Sequence, residues 1–67
     1  MAGAIIPPHV PEGQIKSFGA VGEPYQVGRV LRGPLADGDW MVEVTLIKTG
    51  EKAEIRLTQI IDDPEAA

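Results

Sequence analysis

From Asp39 to Leu57 the chain reads DWMVEVTLIKTGEKAEIRL, and its apolar residues recur at every second position. Trp40, Val42, Val44 and Leu46 form one apolar line. Met41, Glu43, Thr45 and Ile47 stand between them. A period of two sends alternate side chains to opposite faces of a strand. One face is then wholly apolar and the other mixed, the pattern of a half-buried strand. Beyond Thr49-Gly50 the alternation resumes, with Ala53, Ile55 and Leu57 on one side and Lys52, Glu54, Arg56 and Thr58 on the other. Two such runs around a short polar break predict a β-hairpin on which the rest of the chain must pack.

The pattern also bears on register. Residues opposite each other in an antiparallel pair share a face. A turn centred on Thr49-Gly50 sets Leu46 against Ala53, Val44 against Ile55, Val42 against Leu57 and Glu43 against Arg56. A four-residue loop from Lys48 to Glu51 keeps that alignment. A slip by one residue would bring Leu46 against Glu54 and Val44 against Arg56, mixing the two faces.

With 67 residues there is room for one domain with a modest core. Chains of this size often need a staple. Cysteine is absent, which excludes disulfides and fits a reducing compartment. His9 is the single histidine, so a structural zinc site is not expected. No cofactor is expected either. Stability must come from a well-paired sheet or from another chain. Phe18, Tyr25 and Trp40 are each single copies, and so thin an aromatic supply favours a protein partner or a homodimer. The net charge of −4 disfavours binding that depends on neutralising phosphates. No apolar run reaches the roughly 18 residues of a membrane span. The opening Met-Ala-Gly-Ala-Ile-Ile-Pro-Pro has neither a basic start nor a long apolar stretch, so no secretory signal is read and a cytoplasmic location is expected.

Along the chain, residues 1–14 hold three prolines and two glycines and predict an extended or disordered arm whose anchors are Ile5, Ile6 and Val10. Residues 15–67 are expected to form one small β domain. Residues 15–24 read as a short strand or an irregular loop, ending in a turn at Gly22-Glu23-Pro24. Residues 25–32, YQVGRVLR, read as a strand with Tyr25 and Val27 on one face. Strict alternation would then put Arg29 on that face. A bulge at Gly28 restores the order by bringing Val30 round; an edge strand with both faces partly wet is the alternative. Gly33 to Asp39 is a connection with turn pairs at Gly33-Pro34 and Asp37-Gly38. Asp37-Gly38-Asp39 matches part of a calcium loop, but the other ligands of that pattern are missing, and a turn is the better reading. Adjacent Ile60 and Ile61 break the strand pattern and predict one helical turn. Asp63-Pro64 stops it, and residues 65–67 are expected to fray.

Several of these segments, Tyr25-Gln26-Val27-Gly28, Asp37-Gly38-Asp39-Trp40, Val42-Glu43-Val44, Thr49-Gly50-Glu51 and Asp63-Pro64-Glu65-Ala66, resemble a family of short bacterial proteins known as domain of unknown function 5397. The resemblance covers residues 13–66. It implies a bacterial or mobile-element source and nothing about catalysis. The strand order is also similar to that of SH3-like small barrels, a likeness of fold that carries no function. The expected architecture is mainly β: an antiparallel sheet of three to five strands, open or closed into an SH3-like barrel, with a short C-terminal helical turn and an extended N-terminal arm.

No catalytic constellation is visible. A nucleophile needs an adjacent base and an orienting group, and Ser17 and His9 lie in the irregular N-terminal part. Glu43 and Glu54 share a face with Lys52 and Arg56, which reads as a solvated, charge-balanced surface. An enzyme is therefore not expected. The favoured function is a protein-binding or regulatory module that makes contact through Met41 and Ile47, the apolar residues of the outer face. One alternative is a nucleic-acid-binding small barrel using Arg29, Arg32 and Arg56. Another is a mobile-element inhibitor whose acidic surface engages a basic host protein.

Overall fold

The computed structural model describes residues 9–66. Four strands follow one another in the chain: β1 (Ile15–Ser17), β2 (Pro24–Arg32), β3 (Met41–Leu46) and β4 (Lys52–Arg56). They form one antiparallel sheet in the order β1-β2-β3-β4, and a short helix, α1 (Leu57–Asp62), follows directly. Each strand pairs with its neighbour in sequence, so only short connections are needed.

The hairpin β3–β4 forms as expected, with its faces assigned as expected. Val42 and Val44 are fully buried, and Ala53 and Ile55 pack beside them. The register differs by two residues. Val42 stands against Ile55, Val44 against Ala53, and Glu43 against Glu54. A two-residue shift leaves every side chain on its own face, so alternation alone does not distinguish the two alignments. The loop decides between them. It runs over residues 47–50 rather than 48–51, closed by a 2.8 Å bond from Leu46 N to Glu51 O and another of 2.8 Å from Gly50 N to Leu46 O. Gly50 turns the chain at φ +77, a conformation that glycine adopts without a Cβ clash. Ile47 therefore belongs to the loop and not to the outer face of β3. The like-charged pair Glu43–Glu54 is relieved because Arg32 on β2 bonds Glu54 at 2.8 Å.

β2 lies inside the sheet, between β1 and β3, which rules out the edge-strand alternative. Its pairing with β3 shifts between Val27 and Val30, where three residues of β2 advance against two of β3. This is the bulge expected at Gly28, and it brings Val30 against the core. A Cβ on Gly28 would lie 2.7 Å from the Glu43 carbonyl oxygen, closer than any side chain tolerates. A second shift follows between Val30 and Arg32. Residues 13 and 14 continue the pairing of β1 with β2, through Gly13 N to Val27 O at 2.8 Å and Val27 N to Gln14 O at 2.9 Å. Val10 packs against the core, while Ile5 and Ile6 lie outside the described residues.

Among the described residues, Tyr25, Val27, Val42, Val44, Leu57 and Ile60 make up the buried core. The helix supplies two of the six. Of the adjacent isoleucines, Ile60 is fully buried and Ile61 is 64% exposed. Asp63 ends the helix, with its N–H on the Gln59 carbonyl and its backbone extended. Residues 65 and 66 do not fray, and residue 67 lies outside the described residues. Ser17 N donates to Pro64 O at 3.0 Å and Ala66 N to Ile15 O at 2.9 Å, so the tail pairs with the outer edge of β1. Proline at 64 hid this pairing: it halts a helix and lacks an N–H, yet its carbonyl still accepts.

Candidate functional site

Two polar clusters and one cavity stand out among the described residues. The first cluster centres on Asp63, just after α1. Its carboxylate accepts the Tyr25 hydroxyl at 2.6 Å and the Gly19 N–H at 3.2 Å, and its backbone carbonyl accepts Lys16 Nζ at 3.0 Å. Lys16 stands opposite Tyr25 in the β1–β2 pair and is therefore on the core side of the sheet, with only 8% of its surface exposed. Burial first, then the hydrogen bond and negative charge of Asp63, push the Tyr25 hydroxyl well above its usual range, so it stays a donor. Phe18 packs on Tyr25 with ring centres 4.4 Å apart. The cluster joins β1, β2 and the tail, and among the described residues every buried side-chain polar atom has a partner. It is a fastening, not an exposed reactive group.

The second cluster centres on Asp39, at the end of the β2–β3 loop. One carboxylate oxygen accepts Trp40 N at 2.8 Å and Thr58 N at 3.3 Å. The other accepts the Thr58 hydroxyl at 2.8 Å and Arg56 Nη1 at 3.5 Å. Arg56 also pairs with Asp37 at 2.7 Å, and Asp37 accepts the Asp39 N–H at 3.0 Å. The three residues matching a calcium loop are thus a turn held by an arginine. No group of three or more metal-ligating residues occurs among the described residues. α1 has no side-chain cap of its own; Asp39 supplies the partner for its second N–H from across the fold.

The Thr58 hydroxyl, helped by the Trp40 and Thr58 N–H groups and by Arg56, holds the Asp39 carboxyl below the usual carboxylate range, against the opposing effect of burial. The sign follows from linkage. A folded-state value below the unfolded one adds stability above the unfolded value, and this is lost as pH falls through the folded value. Asp39→Asn is expected to melt lower than the wild type at neutral pH. The gap should narrow once the pH drops below about 4. An equal gap at both ends of the titration would show that the charge on Asp39 contributes nothing.

Beside this cluster lies a surface cavity of about 360 Å³. Trp40, Leu57 and Ile61 form its apolar lining, with Asp37, Asp39 and Thr58 around them. Trp40 is half-buried, less than the apolar alternation implied.

The residues singled out in the sequence are scattered. Met41 opens β3 and is half-buried. Ile47 is 46% exposed in the loop beyond the other end of the strand, six residues and about 20 Å away. The structure does not bring the two together. Near Ile47, instead, stands the loop between β1 and β2: Ile47 N donates to Pro24 O at 3.2 Å, Lys48 pairs with Glu23 at 3.0 Å, and Val21 is 98% exposed. Arg32 and Arg56 flank Met41 on the neighbouring strands, but each is paired with acids, Arg32 with Glu54 and Arg56 with Asp37 and Asp39. Arg29 alone of the three has no acidic partner within 4 Å among the described residues. His9 is exposed, and no hydrogen bond joins it to Ser17.

Residues 4–67 match the model of a family of unknown function, DUF5397. The chain belongs to that family. The DUF5397 chain is also 49% identical over 57 residues to an uncharacterized protein of Haemophilus influenzae, an alignment covering 85% of this chain and 89% of that one. The bacterial family expected from the turn and strand motifs is thereby established, and the DUF5397 fold is the mainly β sheet described above.

Proposed function

We propose that the domain is a non-catalytic protein-contact module that works in the cytosol. The observation that carries this reading is how its apolar residues are spent. Among the described residues six apolar side chains make the buried core, yet Val21, Ile47 and Ile61 stay exposed. Val21 and Ile47 sit at one end of the sheet, and Ile61 borders the cavity beside Trp40. Apolar exposure at the Val21–Ile47 end, and a second site at Ile61, favour contact with another protein over a purely solvated surface. A reading without catalysis is supported by the two polar clusters, whose members are consumed in holding the fold. A likeness to SH3-like barrels is supported by a helix between β4 and a tail that returns to β1, and it favours binding only at the level of fold. The internal pairing of Arg32 and Arg56, with the net charge of −4, weighs against nucleic acid as the partner.

The test is site-specific photo-crosslinking of the full chain in its native cells. A photoreactive group at position 21, 47 or 61 is expected to capture a discrete protein, or a second copy of the chain. The same group at Thr45, on the charged face, should not. Equal labelling at all four positions, or none, overturns the reading.

A further inference from the structure

The cavity between the β2–β3 loop and α1 has the properties of a preorganised peptide subsite. Trp40 is held on three sides. Its N–H is bound by Asp39 at 2.8 Å, its carbonyl by Leu57 N at 2.9 Å, and its ring lies against Gly33, where a Cβ would come within 2.6 Å of the ring carbon Cε3. An aromatic fixed in this way loses little freedom when it is covered. Ile61 is exposed on the helix side, and Leu57, which also lines the cavity, is buried. The space of about 360 Å³ accommodates one aliphatic side chain and part of its backbone.

The charges around it say what else the occupant carries. Asp37 and Asp39 share one cation, Arg56, and Asp37 keeps 59% of its side chain in water. One negative charge is left over at the rim, on a chain whose net charge is −4. An acidic neighbour would be repelled there and a basic one drawn in. We propose that this groove receives a segment of a partner protein in which an aliphatic residue stands next to a lysine or arginine. The proposal rests on the protein-contact reading above and gives it a surface and a chemistry.

Trp40 is the only tryptophan, so its emission reports directly on the groove. The full chain is titrated with three short blocked peptides, of alternating leucine and arginine, leucine and glutamate, and glycine and arginine. The leucine–arginine peptide is expected to shift Trp40 emission saturably, and the other two are not. Ile61→Ser, at an exposed position, should leave the melting temperature unchanged and weaken that response by about tenfold. No saturable shift, an equal response to the leucine–glutamate peptide, or an undiminished response in Ile61→Ser each overturns the proposal. Failure here with crosslinks at position 21 or 47 sinks only the groove. Failure here with no crosslinks at all sinks the protein-contact reading as well.

Discussion

Val44→Asp is expected to leave the chain unfolded in water at room temperature. Val44 is fully buried, with Val27 opposite it on one side and Ala53 on the other. Neither neighbour offers a hydrogen bond or a countercharge. A carboxylate there must either ionise without a partner or take up a proton, and each route costs several kcal/mol. A core of this size supplies a net stability of only about 3–5 kcal/mol. Glu43→Ala, one residue away on the other face, is expected to change stability by no more than about 0.5 kcal/mol. It removes a carboxylate that stands opposite Glu54, so even a small gain is consistent. Circular dichroism melts of the two variants decide the matter. Comparable losses would mean that the two faces of β3 have been assigned wrongly.

The two isoleucines of α1 make the second contrast. Ile60→Ala should destabilise the domain by about 2–5 kcal/mol, because it empties a fully buried site that the short helix has little means to close. In a chain this short that corresponds to a fall in melting temperature of roughly ten degrees or more. Ile61→Ala, at a residue 64% exposed, should stay within about 0.5 kcal/mol of the wild type. Similar melts for both would show that α1 does not seal the core through Ile60.

What could be read in advance follows from which quantities a sequence pattern encodes. Alternation told which face each residue of β3 and β4 occupies, and Gly28 marked where β2 would bulge if it were not an edge strand. Adjacent Ile60 and Ile61 before Asp63-Pro64 told of a helical turn. The register lay beyond reach because moving by two residues preserves every face. The choice rested on the loop, where Gly50 closes back on Leu46. Opposite charges at Glu43 and Arg56 suggested a pair, but Arg56 is taken by Asp37 and Asp39, which approach from another loop.

The candidate site was less legible than the fold. Asp39 and Thr58 stand 19 residues apart, and neither position carries a pattern that joins them. Asp63 read as the end of a helix, not as the acceptor for Tyr25 and Gly19. Lys16 offered no sign of burial, since charged residues in a three-residue strand are ordinarily wet; only its pairing with Tyr25 turns it inward. Trp40 was expected among the core residues and is instead shared between the core and the cavity. Each miss is a contact between distant segments, which local periodicity does not record.

The return of residues 64–66 to β1 has a consequence for synthesis. A ribosome releases β2, β3 and β4 in the order in which they pair, so the meander is able to zip up as it emerges. The outer backbone of Ile15 and Ser17 stays bare until residues 64–66 leave the tunnel. For that interval the nascent chain carries an exposed sticky border that the finished protein has covered.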